Sequence, residues 1–287
     1  MHITQDVSNL IQVALDEDIP TYDVTTRGIF PQSSLGTARI VSKENGVLAG
    51  MSVAFNVCKL VDPKLEYMFV KNDGDNIGPS FTDGDFDNIA VIKGSINSMM
   101  LAERTILNFL QHLSGVATLT RNYVNAVKGT GVTIVDTRKT IPGMRRLEKE
   151  AVRIGGGKNH RMSLSDGILI KDNHIRAAEN IELDLVGIVK TLRNNMSHTL
   201  KIEIEVTNLE EVELAIIAKA DGVLLDNMDI ETTKKAVSLC KGKVFTEASG
   251  NMDLEKVRRV AETGVDLISV GALTHSVRAL DLSFKLI

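Results

Sequence analysis

Residues 201–226 read KIEIEVTNLEEVELAIIAKADGVLLD. The first six alternate: Ile202, Ile204 and Val206 project to one side of an extended chain, Glu203 and Glu205 to the other. NLEEVELAIIAK (208–219) then has helical spacing, and DGVLLD (221–226) returns to an apolar run that ends in a carboxylate. Strand, helix and strand in so short a span predict a right-handed βαβ unit with parallel strands. A strand with helices on one side and a polar barrel interior on the other reads like KIEIEV.

The same alternation extends both ways. VTIVDT (132–137) precedes the helix-like MRRLEKEAVRI (144–154), and DGILIK (166–171) precedes LDLVGIVKTLRNN (183–195). Beyond 226, DIETTKKAVSLCK (229–241), KVFTEAS (243–249), DLEKVRRVAETG (253–264) and DLISVG (266–271) continue it. Six strands, each separated by one helix, predict a parallel sheet. Nearly every strand ends in a polar residue or glycine: Arg138 with Lys139, Lys171, Glu205, Asp226, Ser249 with Gly250, and Gly271. An open doubly wound sheet would concentrate such groups at one switch point, whereas a (β/α) barrel assembles its site from all its strand ends. The fold expected here is α/β, with an open, incomplete barrel of about six parallel strands.

Residues 1–95 follow another pattern. GTARIVSKENGVLAG (36–50) reads as two strands around a Glu-Asn-Gly turn, followed by a helix near 51–61. LEYMFVK (65–71) and NIAVIKG (88–94) read as further strands, and NDGDNIGPSFTDGDFDN (72–88) as a turn-rich loop. Two helices, 97–113 and 116–128, are expected to link this α+β region to the barrel. The expected domains are 1–114, 115–274 and a C-terminal segment, 275–287, that packs back on the first.

Composition narrows the function. Of 287 residues 24% are charged, the net charge is −4, and no apolar run approaches the ~18 residues of a membrane span. The N-terminal MHITQDVSNLIQVALDEDIP has no basic and apolar leader pattern; Ile3, Val7, Leu10, Ile11 and Ala14 share one helical face. Cys58 and Cys240 lack CxxC spacing and read as reduced thiols of a cytoplasmic protein. Absence of Trp and only 4% aromatic residues argue against a nucleic-acid surface.

Against that acidic background, residues 138–171 hold Arg138, Lys139, Arg145, Arg146, Lys149, Arg153, Lys158, Arg161 and Lys171, opposed only by Glu148, Glu150 and Asp166. Several of these cations lie beside strand ends and the glycines 155–157, which suits a pocket for a small, multiply anionic ligand. Glu205 and Asp226 end consecutive strands. Each alone reads as a cap or a solvated acid; as a pair facing the basic cluster they suit Mg²⁺ shared with substrate phosphate. EASGN (247–251), Asp253 at a helix start, and SVGAL (269–273) suit a phosphate site of loop amides and a helix N-terminus. In isolation Arg104 reads as a surface arginine, His160 as a loop histidine, and the Asp-Gly-Asp runs at 73–75 and 83–85 as acidic turns.

Together these motifs resemble the quinolinate phosphoribosyltransferase (decarboxylating) family. The matching pieces are DVTT (23–26), ERTILNFLQHLSGVATLT (103–120), DTRKTIPGMRRLEKEAVRIGGGKNHRMSLSDGILIKDNHI (136–175), EIEV (203–206), LLDN (224–227), EASG (247–250) and DLISVGALTHSVRALDLS (266–283). The resemblance implies an N-terminal α/β sandwich joined to an open α/β barrel. It implies that quinolinate and phosphoribosyl pyrophosphate react, with Mg²⁺, to give nicotinate mononucleotide, pyrophosphate and CO₂. Carried over by motif, Arg104, Arg138, His160, Arg161 and Lys171 line the quinolinate side. Lys139, Glu205, Asp226, Ser249, Gly250 and Gly271 line the phosphoribosyl side, Lys139, Lys171, Glu205 and Asp226 being the catalytic set. Thr137, Asn251, Val270 and Ala272, beside these motifs, complete the expected substrate contacts. The resemblance further implies a dimer, or a hexamer built from dimers, in which Arg104 enters the neighbouring site.

The chain departs from the family pattern at Asn251, where glycine is usual after EASG; at EDIPTYDVTT, which lacks a glycine before DVTT; in the 72–88 loop, which is longer and more acidic than expected; and at Ile141. Asn tolerates the left-handed conformation better than most residues. Other readings are a molybdenum-transport accessory protein of the same fold, a nicotinate phosphoribosyltransferase, and a non-catalytic sugar-phosphate sensor. Intact Lys171-Asp172-Asn173-His174-Ile175, the arginines of 138–161, and Glu205, Asp226 and Lys139 together argue against them in turn.

Overall fold

The computed structural model describes residues 3–79 and 87–287. In chain order its elements begin α1 (Gln5–Asp18), α2 (Val24–Ile29), β1 (Leu35–Ser42), β2 (Gly46–Val47), α3 (Met51–Val61), β3 (Glu66–Phe69), β4 (Asn76–Ile77), β5 (Asp87–Ser95) and α4 (Ile96–Ala126). They continue with β6 (Thr133–Val135), α5 (Arg145–Gly155), β7 (Ile168–Ile170), α6 (Asp172–Glu179), α7 (Leu185–Asn195), β8 (Ile202–Val206) and α8 (Leu209–Ile217). The rest are β9 (Gly222–Asp226), α9 (Ile230–Cys240), β10 (Phe245–Ser249), α10 (Leu254–Ala261), β11 (Leu267–Ser269), α11 (Ala272–His275) and β12 (Leu282–Leu286).

The chain divides into two compact units. The first comprises residues 1–121, 140–156 and 276–287. Its antiparallel sheet has the order β12-β1-β5-β3, with Ile40 opposite Ala90 and Phe284. Asp73 caps α3 by accepting from the amides of Gly50 (2.8 Å) and Met51 (3.0 Å), so the first Asp-Gly-Asp run is a turn with a capping duty. The second run, 83–85, lies outside the described residues.

Three expectations change here. β1 and β2 do not form a hairpin: β2 pairs with β4, because the Lys43 amide donates instead to Asp281 O (3.0 Å) and the chain leaves the β1 edge. The two linking helices are one, α4, running through Ser114-Gly115 without a break. There the pair serves packing: the Ala49 amide donates to Ser114 Oγ (3.0 Å), and a side chain on Gly115 would strike the Arg278 carbonyl. The expected boundary at 114/115 therefore falls inside a helix. Residues 140–156, expected in the barrel, belong to the first unit. Their helix α5 buries Leu147, Glu148, Lys149, Ala151 and Val152; His112 Nε2 lies 2.8 Å from Glu148 Oε1, and Gly155 seats close against Thr120.

The second unit comprises residues 122–139 and 157–275. All six of its strands are parallel, in the order β6-β11-β10-β9-β8-β7. The first strand thus joins the last, and β6 and β7 become the two edges of a sheet that does not close. Beyond β6 the chain at Lys158 runs as a short parallel bridge, donating to Ile134 O (2.9 Å) and accepting from the Asp136 amide (3.2 Å). Asp184, Asn208, Asp229 and Asp253 cap helices α7 to α10, which fixes where each strand-to-helix turn ends. On β8, Ile202, Ile204 and Val206 are buried on one face; Glu203 is buried on the other and Glu205 half-buried. Helix α6 was not foreseen, because it buries no residue and so carries no apolar stripe.

Candidate active site

The C-terminal ends of all six parallel strands open on one cavity of about 540 Å³. Its walls are Thr137, Arg138 and Lys139 after β6; Leu169 and Lys171 at β7; Glu205 at β8; Leu224, Asp226 and Asn227 at β9; Glu247, Ser249, Gly250 and Asn251 at β10; and Ser269 at β11, with His160 and Arg161 between the edges. A site fed by every strand is the barrel arrangement.

The cationic side is held by the segment beyond β6. The buried Asp136 carboxylate accepts from the His160 amide (2.9 Å) and from Asn159 Nδ2 (2.6 Å), tying that segment to the sheet. Arg161 donates through Nη1 to Gly167 O (3.1 Å). Burial depresses the affinity of Arg161 for its proton, the neighbouring Arg138 adds to this, and Glu203 opposes it. Beneath them lie two buried carboxylates. His160 Nε2 stands 3.3 Å from Glu203 Oε2 and 3.5 Å from Glu247 Oε2. Burial pushes the Glu247 carboxyl up, and the charge of Glu203 pushes it further; His160 and Ser269 act the other way.

The opposite side is acidic and rich in backbone amides. Lys171 Nζ lies 3.5 Å from Glu205 Oε2, and Asn227 Nδ2 donates to Asp226 Oδ2 (3.0 Å). Gly250 and Asn251 both take positive φ, +98° and +47°, and Asn251 Nδ2 donates to Asn227 Oδ1 (3.2 Å). Asparagine thus sustains the turn where the resemblance leads one to expect glycine. Among the described residues none accepts from the amides of Gly250, Asn251 or Gly271. The helix N-terminus expected to share this role is already taken: Asp253 accepts from the amides of Glu255 (3.0 Å) and Lys256 (2.7 Å) of α10. Lys139 is fixed through its backbone, its amide donating to Thr137 Oγ1 (3.0 Å) and its carbonyl accepting from Thr274 Oγ1 (2.7 Å). Gly271 lies against its stem: a Cβ there would be 3.3 Å from Lys139 Cδ.

Of the nine cations between 138 and 171, only Arg138, Lys139, Arg161 and Lys171 line this cavity. Arg145, Arg146, Lys149 and Arg153 ride on α5 in the first unit, where Arg146 pairs with Asp6 and Arg153 with Glu150. The glycines after them end that helix, Gly156 being its left-handed cap. Thr137, His160, Glu205, Asp226, Ser249, Gly250 and Asn251 all lie on the cavity wall. Val270 does not: its side chain is buried and its amide donates to Val135 O (3.0 Å). Ala272 begins α11 and is not on the wall either; nor is Gly271, which reaches the site only by packing against the Lys139 stem. Arg104 is exposed on α4 in the first unit. Sequence reasoning passed over Asn227 and Glu247. Asn227 follows Asp226 in LLDN, but its positive φ of 53° leaves no local pattern; Glu247 stands in EASG, where the Ser-Gly took precedence.

Residues 23–114 match the model of the quinolinate phosphoribosyl transferase N-terminal domain, and residues 116–285 that of its C-terminal domain. A probable nicotinate-nucleotide pyrophosphorylase (carboxylating) of Synechocystis is 41% identical over 280 residues, covering 96% of this chain and 91% of the relative. The Bacillus subtilis protein of the same description is 40% identical over 267 residues, 93% of this chain and 89% of the relative. The solved nicotinate-nucleotide pyrophosphorylase of Francisella tularensis superposes with a TM-score of 0.91 at 38% identity, covering 100% of this chain and 98% of that one.

Proposed function

The chain belongs to the quinolinate phosphoribosyltransferase family, and from that premise we propose that it transfers the phosphoribosyl group of phosphoribosyl pyrophosphate to quinolinate. The products are nicotinate mononucleotide, pyrophosphate and CO₂, a step of NAD biosynthesis. The observation that carries this reading is a single cavity with guanidinium groups on one side and carboxylates beside unpaired amides on the other.

Quinolinate bears adjacent carboxylates that must be held and desolvated together. Arg138 and Arg161 offer planar two-point contacts, and Lys171 a compact charge. The loop amides of Gly250, Asn251 and Gly271 suit the 5-phosphate of the donor. As pyrophosphate leaves, the ribose gains oxocarbenium character, which the carboxylates stabilise, while Lys139 meets the charge growing on the leaving group. Glu205 and Asp226 are hard oxygen donors in the same cavity, half-buried rather than sealed, as Mg²⁺ shared with phosphate and water requires. These two residues would hold the ion, which supplies further charge stabilisation for the departing pyrophosphate. Once the pyridine nitrogen carries ribose it is cationic; when the bond to the adjacent carboxylate breaks and CO₂ leaves, the electron pair stays on the ring carbon, where that cation stabilises it until a proton from water completes the product. No side chain is needed as a nucleophile.

Arg104 acts, in this reading, from a second copy of the chain in a homodimer or an assembly of dimers. Two free, buried cysteines suit the reducing cytoplasm, and among the described residues no helix is long and apolar enough to cross a membrane. Incubating the protein with both substrates and Mg²⁺ tests the reading. Nicotinate mononucleotide and CO₂ are expected in equal amounts, and failure to form either refutes it.

A further inference from the structure

Below the cationic wall, His160 spends both ring nitrogens inside the protein. Its Nδ1 accepts from the Arg161 amide at 2.7 Å, so that nitrogen carries a lone pair. The ring proton therefore sits on Nε2, which faces Glu203 Oε2 at 3.3 Å and Glu247 Oε2 at 3.5 Å. Three potential ligand atoms lie within 4.8 Å of one another here, a spacing that would fit a metal ion. The tautomer argues otherwise, because a nitrogen that bears a proton has no lone pair to give a metal.

The two carboxylates are deep. Glu247 is 1% exposed and Glu203 6%; Glu203 Oε1 and both carboxyl oxygens of Glu247 have no hydrogen-bond partner among the described residues, so His160 meets Glu247 as a charge contact. Buried acids left so poorly paired cost stability unless something else requires them. They stand on alternate strands, β8 and β10, and Glu203 also acts electrostatically on Arg161. The side chain that faces them, His160, is hydrogen-bonded to the backbone of Arg161.

We propose that Glu203 and Glu247 are positioning residues of the acid-binding site: facing the Nε2 edge of His160 at 3.3 and 3.5 Å, they fix the ring electrostatically, and through it the backbone and guanidinium of Arg161. This rests on the quinolinate reading above. His160 then serves the substrate by orienting its neighbour, and the site's grip on a dicarboxylate depends on two buried acids behind the cationic wall. The competing account makes the acids simple counter-charges to Arg138 and Arg161. The two accounts differ in sign: removing a counter-charge tightens the binding of an anion, whereas removing a support weakens it.

The double variant Glu203→Gln/Glu247→Gln decides between them. Calorimetry should show quinolinate binding weakened by about tenfold or more, since a small misplacement of a binding group suffices for that. Phosphoribosyl pyrophosphate binding should stay within about twofold of wild type, with the fold judged by thermal melting. In ¹⁵N spectra, wild-type His160 should show one protonated and one acceptor nitrogen, and the variant a loss of that single-tautomer signature. Quinolinate binding that is unchanged or tighter, or an unchanged tautomer, overturns the inference. So does equal weakening of both ligands. If the double variant does not fold, Glu247→Gln alone carries the same test, with about threefold weakening expected. A wild-type protein that binds no quinolinate sinks the functional reading itself, a different result from wild-type binding that the variants share.

Discussion

Gly250 lies directly against Asn227: a Cβ on the glycine would be 2.8 Å from the Asn227 carboxamide nitrogen and closer still to its oxygen. Both residues, and Asn251 after them, have positive φ. Three left-handed residues, from two neighbouring strand ends, build the loop that presents free amides to the cavity. Gly250→Ala should therefore weaken phosphoribosyl pyrophosphate binding by tenfold or more, because strain and collision together cost roughly 1–3 kcal/mol. Quinolinate binding should change little. Titration of each ligand checks this, and unaltered donor affinity would remove the loop from the phosphate site.

Arg138→Ala or Arg161→Ala should act on the other ligand. Losing one charge-assisted contact to a desolvated carboxylate costs roughly 2–4 kcal/mol. Quinolinate affinity should fall accordingly, with donor affinity nearly retained. Equal losses for both ligands in calorimetric titrations would place these arginines elsewhere.

Glu205→Gln and Asp226→Asn should each lower turnover and raise the Mg²⁺ concentration needed for half-maximal rate. Both acids are at strand ends facing the cavity, so melting temperatures should hold. A rate whose Mg²⁺ dependence is the same in both variants as in wild type would exclude them as metal ligands.

Mixed subunits test the origin of Arg104. An Arg104→Ala chain and a Lys139→Ala chain, each inactive alone, should regain part of the activity on mixing, since one hybrid site would carry both intact residues. Mass-tagged chains first establish that subunits exchange. Complete exchange without activity would show that Arg104 does not act across an interface.

The Glu247 carboxyl, pushed up to about 7 by burial and by Glu203, gives a stability signature. Its folded-state value lies above the ordinary glutamate value. The folded protein therefore holds a proton that the unfolded chain releases, and stability is lost as pH rises from the unfolded value through the folded one. Glu247→Gln removes that loss. Its melting temperature relative to wild type should rise between pH 5 and pH 8, by a few degrees. A difference that stays flat across that window would show that the acid is not held protonated.

What the sequence made legible was the periodic part. KIEIEV announced its two faces, and Glu203 and Glu205 lie where alternation placed them, because side-chain direction on a strand follows from spacing alone. Strand-end residues from Thr137 to Asn251 converge for the same reason: parallel strands put their C-terminal ends on one side. What escaped was set by contacts distant in sequence. Ser114-Gly115 looked like a break and is a packing notch; the basic residues of α5 looked like part of the pocket and pair in the first unit. Helix α6 lacked an apolar stripe, and the Glu247 environment depends on neighbours two strands away.

The order of the second sheet has a consequence for synthesis of the chain. Because β6 pairs with β11, the first strand made has no ladder partner except the Lys158 bridge until the last has been translated. The first unit is in a similar position: β1 waits on one side for β12, which follows every strand of the second unit. Neither sheet is complete on a growing ribosomal product until these late strands have emerged, and until then it carries exposed strand edges. Such a protein folds late, through long-range closures, and a truncation of even its final strand opens the sheet that its first strand began.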